Sequence, residues 1–524
     1  MAESGQRSLG QRAAGAMAWN FAGKLYFMLA KYVESIILLR MLGALENGAL
    51  IGALNIQATL VMFISLGIGN TLLRFLPQIR EEGLGERAFL RRLMAFRLAV
   101  SLGAGALLVV FARAIAASYL HDESRVGLVY ASAVMLVTTS VQNLQTRILV
   151  ARYRQKQINV IQSAVVTVYL AVAIVGLVAG GGVTLVISAN AVATLLGCAW
   201  MWWDERKTRP VEQPSAPPTG ARTRAFSIRR LVAFSFTFYL YDLLNIVLEK
   251  QLDIWMLGFL HPDLRQVTYY ALAYNFAFFA YGVFSKVFTE GFTLSLVADV
   301  YATGDMAKLR RVFGAIFEYM YLFAIPVAVG GLLLGDDLLR LMYGDEGLGI
   351  IGPAMLFLPV MAIGKYSGIA ANFLGAMDRE RALITSRAIF GAANAAVNVM
   401  LIPRYGAWGA AIGTAAATLA GFTYEAVLLH RALRPTYPWK FVAKISLASA
   451  VMGLAVAGVC RYVPPADAWR LAVGLPVGVC VFGAMLVVLR PIDPAILEIV
   501  GKTRIPGAAF AARWMTPRKS GAPS

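Results

Sequence analysis

Five lysines lie inside long apolar stretches of this 524-residue chain, where charged side chains are uncommon: Lys24, Lys31, Lys250, Lys286 and Lys365. A charge at the centre of a bilayer costs about 2.5–3.5 kcal/mol on insertion scales, so an ionisable residue in such a stretch is a functional candidate. Lys24 and Lys31 are seven positions apart and therefore lie on nearly one face of a helix. Lysine is a mobile point charge that suits phosphate. We therefore predict that the five lysines line a cationic cavity for an anionic, phosphate-bearing substrate.

Three carboxylates in the same stretches are candidates for coupling to a proton or a sodium ion: Glu34, Asp242 and Glu249. Glu34 follows Lys31 by three positions, a distance at which two side chains on one helix can pair. Asp242 and Glu249 are seven positions apart and share a helix face. The alternative is that these carboxylates form structural ion pairs that tie helices together, and the sequence leaves that alternative open.

The sequence carries no pattern typical of an enzyme or a metal protein. Gly501-Lys502-Thr503 resembles the end of a phosphate-binding loop, but Ile496 stands where that motif needs glycine. No pair of cysteines has metal-ligand spacing, and the three histidines fall in polar joints. We therefore predict no catalytic residue, no metal and no cofactor. Transport would then draw on a proton gradient, a sodium gradient or the membrane potential.

Composition indicates which elements must position these residues. Hydrophobic residues make up 59% of the chain and charged residues 15%, whereas soluble proteins carry about 25% charged residues. Apolar stretches of about 20 residues recur from residue 14 to residue 489, the length that a helix needs to cross a bilayer. Barrel strands would be shorter and alternate in polarity. We predict an all-α integral membrane protein of about fourteen helices: 14–39, 49–73, 93–118, 127–150, 159–179, 183–203, 229–258, 268–297, 312–335, 349–375, 382–402, 408–430, 441–462 and 469–489.

The basic residues orient these helices. Both termini and alternate joints carry 35 of the 48 lysines and arginines, whereas the other joints carry 8. Cytoplasmic loops are enriched in lysine and arginine, so both termini are predicted to be cytoplasmic. The net charge of +19 thus follows from membrane topology, and we predict no nucleic-acid partner.

A proline-rich joint at 204–228 divides the chain into two halves that look related. A shift of 215 positions places Glu34 on Glu249 and Tyr26 on Tyr241. Parallel repeats related by an axis along the membrane normal are a transporter architecture, with the substrate site near the midplane. The predicted domains are an N-lobe at 1–203, the cytoplasmic linker at 204–228, a C-lobe at 229–433, two extra helices at 434–489 and a cytoplasmic tail at 490–524.

Two motifs resemble a known family. The stretch 394–414 contains Pro403-Arg404-Tyr405-Gly406 followed by the small residues of a close helix contact, and Ser65-Leu66-Gly67-Ile68-Gly69 follows the early stretch 40–48. Both resemble bacterial polysaccharide flippases, the polysaccharide transporter branch of the multidrug/oligosaccharidyl-lipid/polysaccharide (MOP) exporter superfamily. The resemblance covers helices 1–12.

The resemblance implies two six-helix bundles around a V-shaped cavity that opens alternately to each side of the bacterial inner membrane. It implies a substrate, an undecaprenyl-pyrophosphate-linked oligosaccharide that is the repeat unit of O-antigen, capsule or exopolysaccharide. The lysines would hold the pyrophosphate while the lipid tail stays in the bilayer, and a polysaccharide polymerase or co-polymerase would be a partner.

Three alternatives remain from the sequence. One is a cation or drug antiporter of the same superfamily, which would depend on carboxylates and tolerate loss of the lysines. Another is a lipid II flippase, suggested by the fourteen helices. The third is a membrane scaffold that transports nothing.

Overall fold

The computed structural model describes residues 9–152, 154–207, 227–246, 250–289, 292–463 and 468–491. In these ranges the regular structure is helical and holds no strand, so the predicted all-α class is confirmed.

The chain divides into two compact units, Met1–Val267 and Thr268–Ser524. The first unit contains α1 (Leu9–Phe63), α2 (Ile68–Glu81), α3 (Glu86–Val110), α4 (Ala112–Ser118), α5 (Val126–Ala151), α6 (Gln155–Val178), α7 (Val183–Lys207), α8 (Ile228–Ile246) and α9 (Gln251–Leu260). The second contains α10 (Arg265–Thr289, which begins at the boundary), α11 (Phe292–Ala302), α12 (Met306–Tyr343), α13 (Leu348–Ala376), α14 (Glu380–Tyr405), α15 (Ala407–Leu433), α16 (Trp439–Tyr462) and α17 (Ala468–Leu489).

Many of these helices are suited to a bilayer. Among the described residues, nine stretches are long and apolar enough to cross a membrane. Each of the fourteen predicted segments overlaps a helix. The chain is therefore a multi-pass membrane protein, while the count of fourteen crossings stays a prediction.

The first two predicted helices form one run, α1, instead of two helices joined by a polar loop. The run changes direction at Gly43, whose φ of 74° and ψ of 168° lie outside the helical region. Glycine adopts this conformation at low cost because it has no Cβ. Polar residues on either side stay helical, and the Glu46 carboxylate pairs with Arg125 at 2.6 Å. The predicted joint at 40–48 is thus a kink.

The second predicted helix, 49–73, ends ten residues early. Leu66 (φ 51°) and Gly67 (φ 66°) adopt left-handed conformations, which interrupt helical hydrogen bonding after Phe63. The freed carbonyl groups find side-chain donors. Ser235 Oγ of α8 donates to the Leu66 carbonyl oxygen at 3.0 Å, and the Arg97 guanidinium of α3 donates to the Ile64 carbonyl oxygen. These partners lie far away in sequence, which is why the apolar pattern alone did not reveal the break.

After the break, α2 is an amphipathic helix. Leu72, Leu76 and Ile79 are buried on one face, whereas Arg74 and Arg80 are exposed on the other. Spacings of three, four and seven residues place the apolar side chains on one face of a helix. This face packs against α5, where Leu144 and Ile148 belong to the same apolar cluster.

Helices α8 and α9 both pack within the first unit. The Phe234 and Phe75 rings meet edge to face at 5.6 Å, which joins α8 to α2. At α9, the Trp255 ring lies 4.8 Å from Tyr119, and its Nε1 donates to Thr59 Oγ1 at 3.0 Å. The seventh predicted segment, 229–258, thus corresponds to α8 and α9, which contact α2 and α1 respectively. The predicted lobe boundaries stay a prediction.

In the second unit, α14 and α15 form a close antiparallel pair around the 394–414 motif. The chain reverses at Gly406, which has a φ of 51°. A Cβ added to Gly409 would lie 2.6 Å from the Leu401 carbonyl oxygen, and one added to Gly413 would overlap Asn398 Oδ1. The small residues therefore permit the close backbone contact that the motif predicted.

The last two helices, α16 and α17, pack against α12. A Cβ on Gly474 of α17 would lie 3.1 Å from Leu334 of α12, so glycine brings the two helices close together. Arg470 Nη1 lies 3.1 Å from Asp337 Oδ1, and the Asp337 side chain is 3% exposed. The two extra helices therefore belong to the second unit through packing and a buried ion pair.

We expect Gly67→Ala to lower the free energy of unfolding by about 1–3 kcal/mol. Alanine is strained at this positive φ, and its Cβ would overlap the Ser235 carbonyl oxygen. The measurement is the unfolding temperature of the purified protein in detergent. Gly103→Ala in α3 is the matched control, because no atom lies within 4 Å of a Cβ added there. Equal unfolding temperatures for the wild type and Gly67→Ala would contradict this account of the break.

Candidate functional site

The Glu34 cluster, formed by Lys31, Glu34 and Tyr169, is a charged group inside the first unit. Glu34 lies on α1 and is 5% exposed. Tyr169 Oη of α6 donates to Glu34 Oε1 at 2.8 Å, and Lys31 Nζ lies 2.7 Å from Glu34 Oε2. Lys31 Nζ also lies 5.5 Å from the centroid of the Tyr169 ring. The cluster is therefore an ion pair with a phenol that contacts both charges.

Helix geometry and packing create this cluster. Lys31 and Glu34 are one turn apart on α1, so their side chains reach each other. Helix α6 packs against α1 and brings Tyr169 to the pair. Asn190 of α7 lies near the same phenol, so a third helix borders the cluster. The spacing alone predicted that Lys31 and Glu34 could pair, but not the tyrosine.

The two charges of the cluster differ in exposure. The Lys31 side chain is 43% exposed, whereas that of Glu34 is 7% exposed. The buried carboxylate balances the ammonium charge, so the pair is neutral while both groups are ionised.

Lys365 lies on α13 in the second unit and is partly buried. Its Nζ is 5.3 Å from the centroid of the Tyr281 ring of α10. Tyr281 is itself fixed, because its hydroxyl donates to the Leu358 carbonyl oxygen at 2.7 Å. An ammonium over an aromatic face is stabilised by the ring quadrupole, by about 0.5–2 kcal/mol. Lys365 thus lies over the face of an aromatic ring that is held in place by its own hydrogen bond.

The other predicted site residues are less fully described. Lys250 precedes the first turn of α9 and is partly buried. Lys24, Lys286 and Asp242 lie on helical backbone, but their side chains are outside the described part of the structure, as is the whole of Glu249. The structure brings Lys31 and Glu34 together, and it places Lys31 and Lys365 in different units. The functional roles of all eight residues stay predictions.

Arg97 lies near the start of the predicted helix 93–118 and is one of the 35 basic residues of the predicted cytoplasmic side, yet the structure buries it. Arg97 is 5% exposed on α3, and its guanidinium donates to the carbonyl oxygens of Ile64 and Ser140. Arg147 lies nearby against Gly69, whose Cβ would be 3.1 Å from Arg147 Nε. The available signal was the position of Arg97 inside the predicted helix 93–118, with an apolar run on its C-terminal side.

The sequence also did not single out a buried carboxylate, Glu425. Glu425 lies on α15 and is 7% exposed. Ser386 Oγ of α14 donates to Glu425 Oε1 at 2.7 Å. The available signal was a single acid inside the predicted apolar helix 408–430.

No three histidine, cysteine, aspartate or glutamate side chains cluster as metal ligands within the described ranges of the chain. The candidate site is thus built from lysines, carboxylates, tyrosines and serines. These groups can bind anions, protons or small cations.

The fold matches solved structures of membrane transporters. The lipid II flippase MurJ in an inward closed conformation superposes with a TM-score of 0.71 at 15% identity, covering 89% of this chain and 97% of that one. An inward-facing multidrug resistance MATE family transporter of the MOP superfamily gives 0.58 at 13% identity, covering 78% of this chain and 95% of that one. At these identities the likeness establishes the fold alone. The fold is that of MOP superfamily transporters.

Sequence comparison identifies the family. A family model described as "Polysaccharide biosynthesis protein" matches residues 37–352, and the chain belongs to that family. The "Probable flippase AglR" of Haloferax volcanii is 24% identical over 200 residues, which span 38% of this chain and 42% of AglR. The predicted resemblance is confirmed. AglR is named a probable flippase, and the two solved structures are a flippase and a transporter, in agreement with the prediction that the chain is not an enzyme.

We expect Tyr169→Phe to lower the free energy of unfolding by about 1.5–3 kcal/mol, because the buried Glu34 carboxylate loses a hydrogen-bond donor. Tyr26→Phe is the matched control, since Tyr26 joins the same two helices through a hydrogen bond to Thr167 at an exposed position. The control should cost less than about 1 kcal/mol. Thermal unfolding in detergent measures both, and equal losses would contradict a special role for the buried bond.

Proposed function

We propose that the protein is a flippase for undecaprenyl-pyrophosphate-linked oligosaccharides, which it moves from the cytoplasmic to the outer leaflet of the bacterial inner membrane by alternating access. Its family and its fold support a flippase or transporter. The observation that carries the finer assignment is a lysine beside a tyrosine ring inside each unit, Lys31 at Tyr169 and Lys365 at Tyr281.

Such lysines suit the headgroup of this substrate. An ammonium group has three donors and no fixed plane, so it follows a pyrophosphate as the headgroup moves. Neighbouring aromatic rings contribute flat apolar surfaces of the kind on which sugar rings stack. Lys24, Lys250 and Lys286 complete the proposed cationic set.

The Glu34 cluster supports a link between proton binding and substrate binding. While Glu34 is ionised, it neutralises Lys31 at 2.7 Å. A proton on Glu34 leaves Lys31 with a net positive charge, which favours phosphate. By linkage, bound phosphate then favours the proton to the same extent. A sodium ion at Glu34 would act in the same direction, and Asp242 and Glu249 are further coupling candidates.

The membrane potential favours the proposed direction. With the cytoplasm negative, outward movement of a dianionic headgroup gains roughly 4.6 kcal/mol per 100 mV, at about 2.3 kcal/mol per charge. The proposed orientation has both termini in the cytoplasm, as the distribution of basic residues predicts. The partners of the flippase are then the bilayer, the lipid-linked oligosaccharide and a polysaccharide polymerase or co-polymerase.

We expect single replacements of Lys24, Lys31 and Lys365 by alanine to abolish polymer export, because each removes a charge that holds the pyrophosphate. The measurement is surface polymer in cells that express each variant at wild-type abundance in the membrane fraction. Lys308→Ala is the control, since Lys308 is exposed in the first turn of α12. Normal export from all three variants would contradict the cationic site.

A cation or drug antiporter is the rival function favoured by the buried Glu34 carboxylate. An antiporter of this kind should confer resistance to cationic dyes, lose it in Glu34→Gln and keep it in Lys365→Ala. We expect no resistance above the level of cells that lack the protein. Growth in graded dye concentrations checks this expectation, and resistance that depends on Glu34 alone would replace the flippase assignment with the antiporter.

A further inference from the structure

Glu425 differs from the buried carboxylates of Glu34 and Asp337 because no basic side chain of the described residues contacts it. Lys31 lies 2.7 Å from Glu34, and Arg470 lies 3.1 Å from Asp337. No lysine or arginine nitrogen of the described residues lies within 4.0 Å of the Glu425 carboxylate. Burying an ionised carboxylate without a contacting cation is costly, and binding a proton removes that cost.

The hydrogen-bonding groups around Glu425 are hydroxyls. Ser386 Oγ on α14 donates to Oε1 at 2.7 Å, and Ser367 on α13 supplies a second hydroxyl near the carboxyl group. A serine hydroxyl can donate to a carboxylate and can turn to accept from a protonated carboxyl group. The Ser386 hydroxyl can therefore serve Oε1 in both protonation states, which a lysine or arginine, having no acceptor, cannot do. The other oxygen, Oε2, is buried and has no hydrogen-bond partner among the described residues.

The charged and titratable groups that face Glu425 come from the two helices packed against α15. Arg387 of α14 acts on the carboxyl group electrostatically without contacting it. Tyr366 of α13 is the neighbouring phenol, and its hydroxyl hydrogen-bonds the Tyr437 hydroxyl at 2.9 Å. Gly368, which follows Ser367 on α13, is exposed, so the second hydroxyl lies one residue from accessible surface.

We propose that Glu425 is a reversible proton-binding site in the second unit, held by the Ser386 hydroxyl with Ser367 nearby, and with Arg387 as the counter-charge of its ionised form. This site rests on the proposed transport function and gives it a second coupling position. On protonation, the carboxyl group becomes neutral and the positive charge of Arg387 is no longer offset. On release of the proton, Arg387 again balances the carboxylate.

The first test measures the proton site without any transport. Infrared difference spectra of the full-length protein in liposomes, recorded from acidic to alkaline pH, should contain a protonated-carboxyl band that disappears as the pH rises. Glu425→Gln should lack this band, because glutamine retains the acceptor for Ser386 but cannot titrate. Asp336→Asn is the control, since Asp336 is an exposed acid paired with Arg340 at 2.8 Å in the same unit. An unchanged band in Glu425→Gln would overturn the proposal.

The second test follows flipping of a fluorescent undecaprenyl-pyrophosphate-linked oligosaccharide across the same liposomes under an imposed pH gradient. Wild-type protein should flip the probe at a rate that depends on the gradient, and Glu425→Gln should lose that dependence. The same gradient dependence in both proteins would overturn the proton site alone. A wild type that never moves the probe would overturn the proposed function, while the infrared spectra would still decide the proton site.

Two further variants test the proposal even if Glu425→Gln does not fold. Glu425→Asp keeps a titratable group and should keep a carboxyl band with a shifted midpoint. Ser386→Ala removes the hydroxyl that serves both protonation states, so it should also move the midpoint. A midpoint that neither variant moves would overturn the assignment of the band to Glu425.

Discussion

A charged side chain inside an apolar helix must be compensated by its neighbours, because lipid and packed apolar side chains supply no counter-charge. This constraint determines much of the packing. Glu34 brings Tyr169 of α6 against α1, and Asp337 brings Arg470 of α17 against α12. Arg470 compensates Asp337 from another helix, whereas Glu34 has its counter-charge Lys31 on α1 and a phenol donor on α6. The charged residues that looked anomalous in the sequence therefore form contacts that define which helices are neighbours.

The same constraint explains where the backbone leaves the helical path. Residues 64–67 interrupt the apolar run after α1, which frees carbonyl groups that would be unsatisfied in an apolar setting. Arg97 and Ser235 donate to two of them, those of Ile64 and Leu66, and the buried Arg97 guanidinium also donates to the Ser140 carbonyl oxygen of α5. The break and the buried arginine thus stabilise each other. Gly67, which belongs to the Ser65–Gly69 motif, permits the left-handed turn and the close approach of α8.

Some of this architecture could be predicted from local sequence and some could not. Apolar length predicted the helices because a span depends only on its own residues, and one-turn spacing brought Lys31 and Glu34 together for the same reason. The aromatic partner of Lys365 is Tyr281 on another helix, and the donor to Glu425 is Ser386, so neither contact leaves a periodic signal. The kink at Gly43 was hidden because polar residues around it suggested a loop, although a helix tolerates them when the side chains find partners such as Arg125.

The two units compensate a buried carboxylate in different ways, and the difference bears on how a polyanion could be moved. In the Glu34 cluster, a contacting lysine makes the ionised state neutral. Around Glu425, the Ser386 hydroxyl donates to the carboxylate, and the basic group that acts on it, Arg387, does so without contact. In both places a bound proton adds one positive charge to the unit, so protonation and anion binding favour each other under the proposed function. Release of both protons removes two of the charges that would hold a pyrophosphate. A carrier built this way strengthens and weakens its hold on the headgroup by titrating acids that the substrate need not touch.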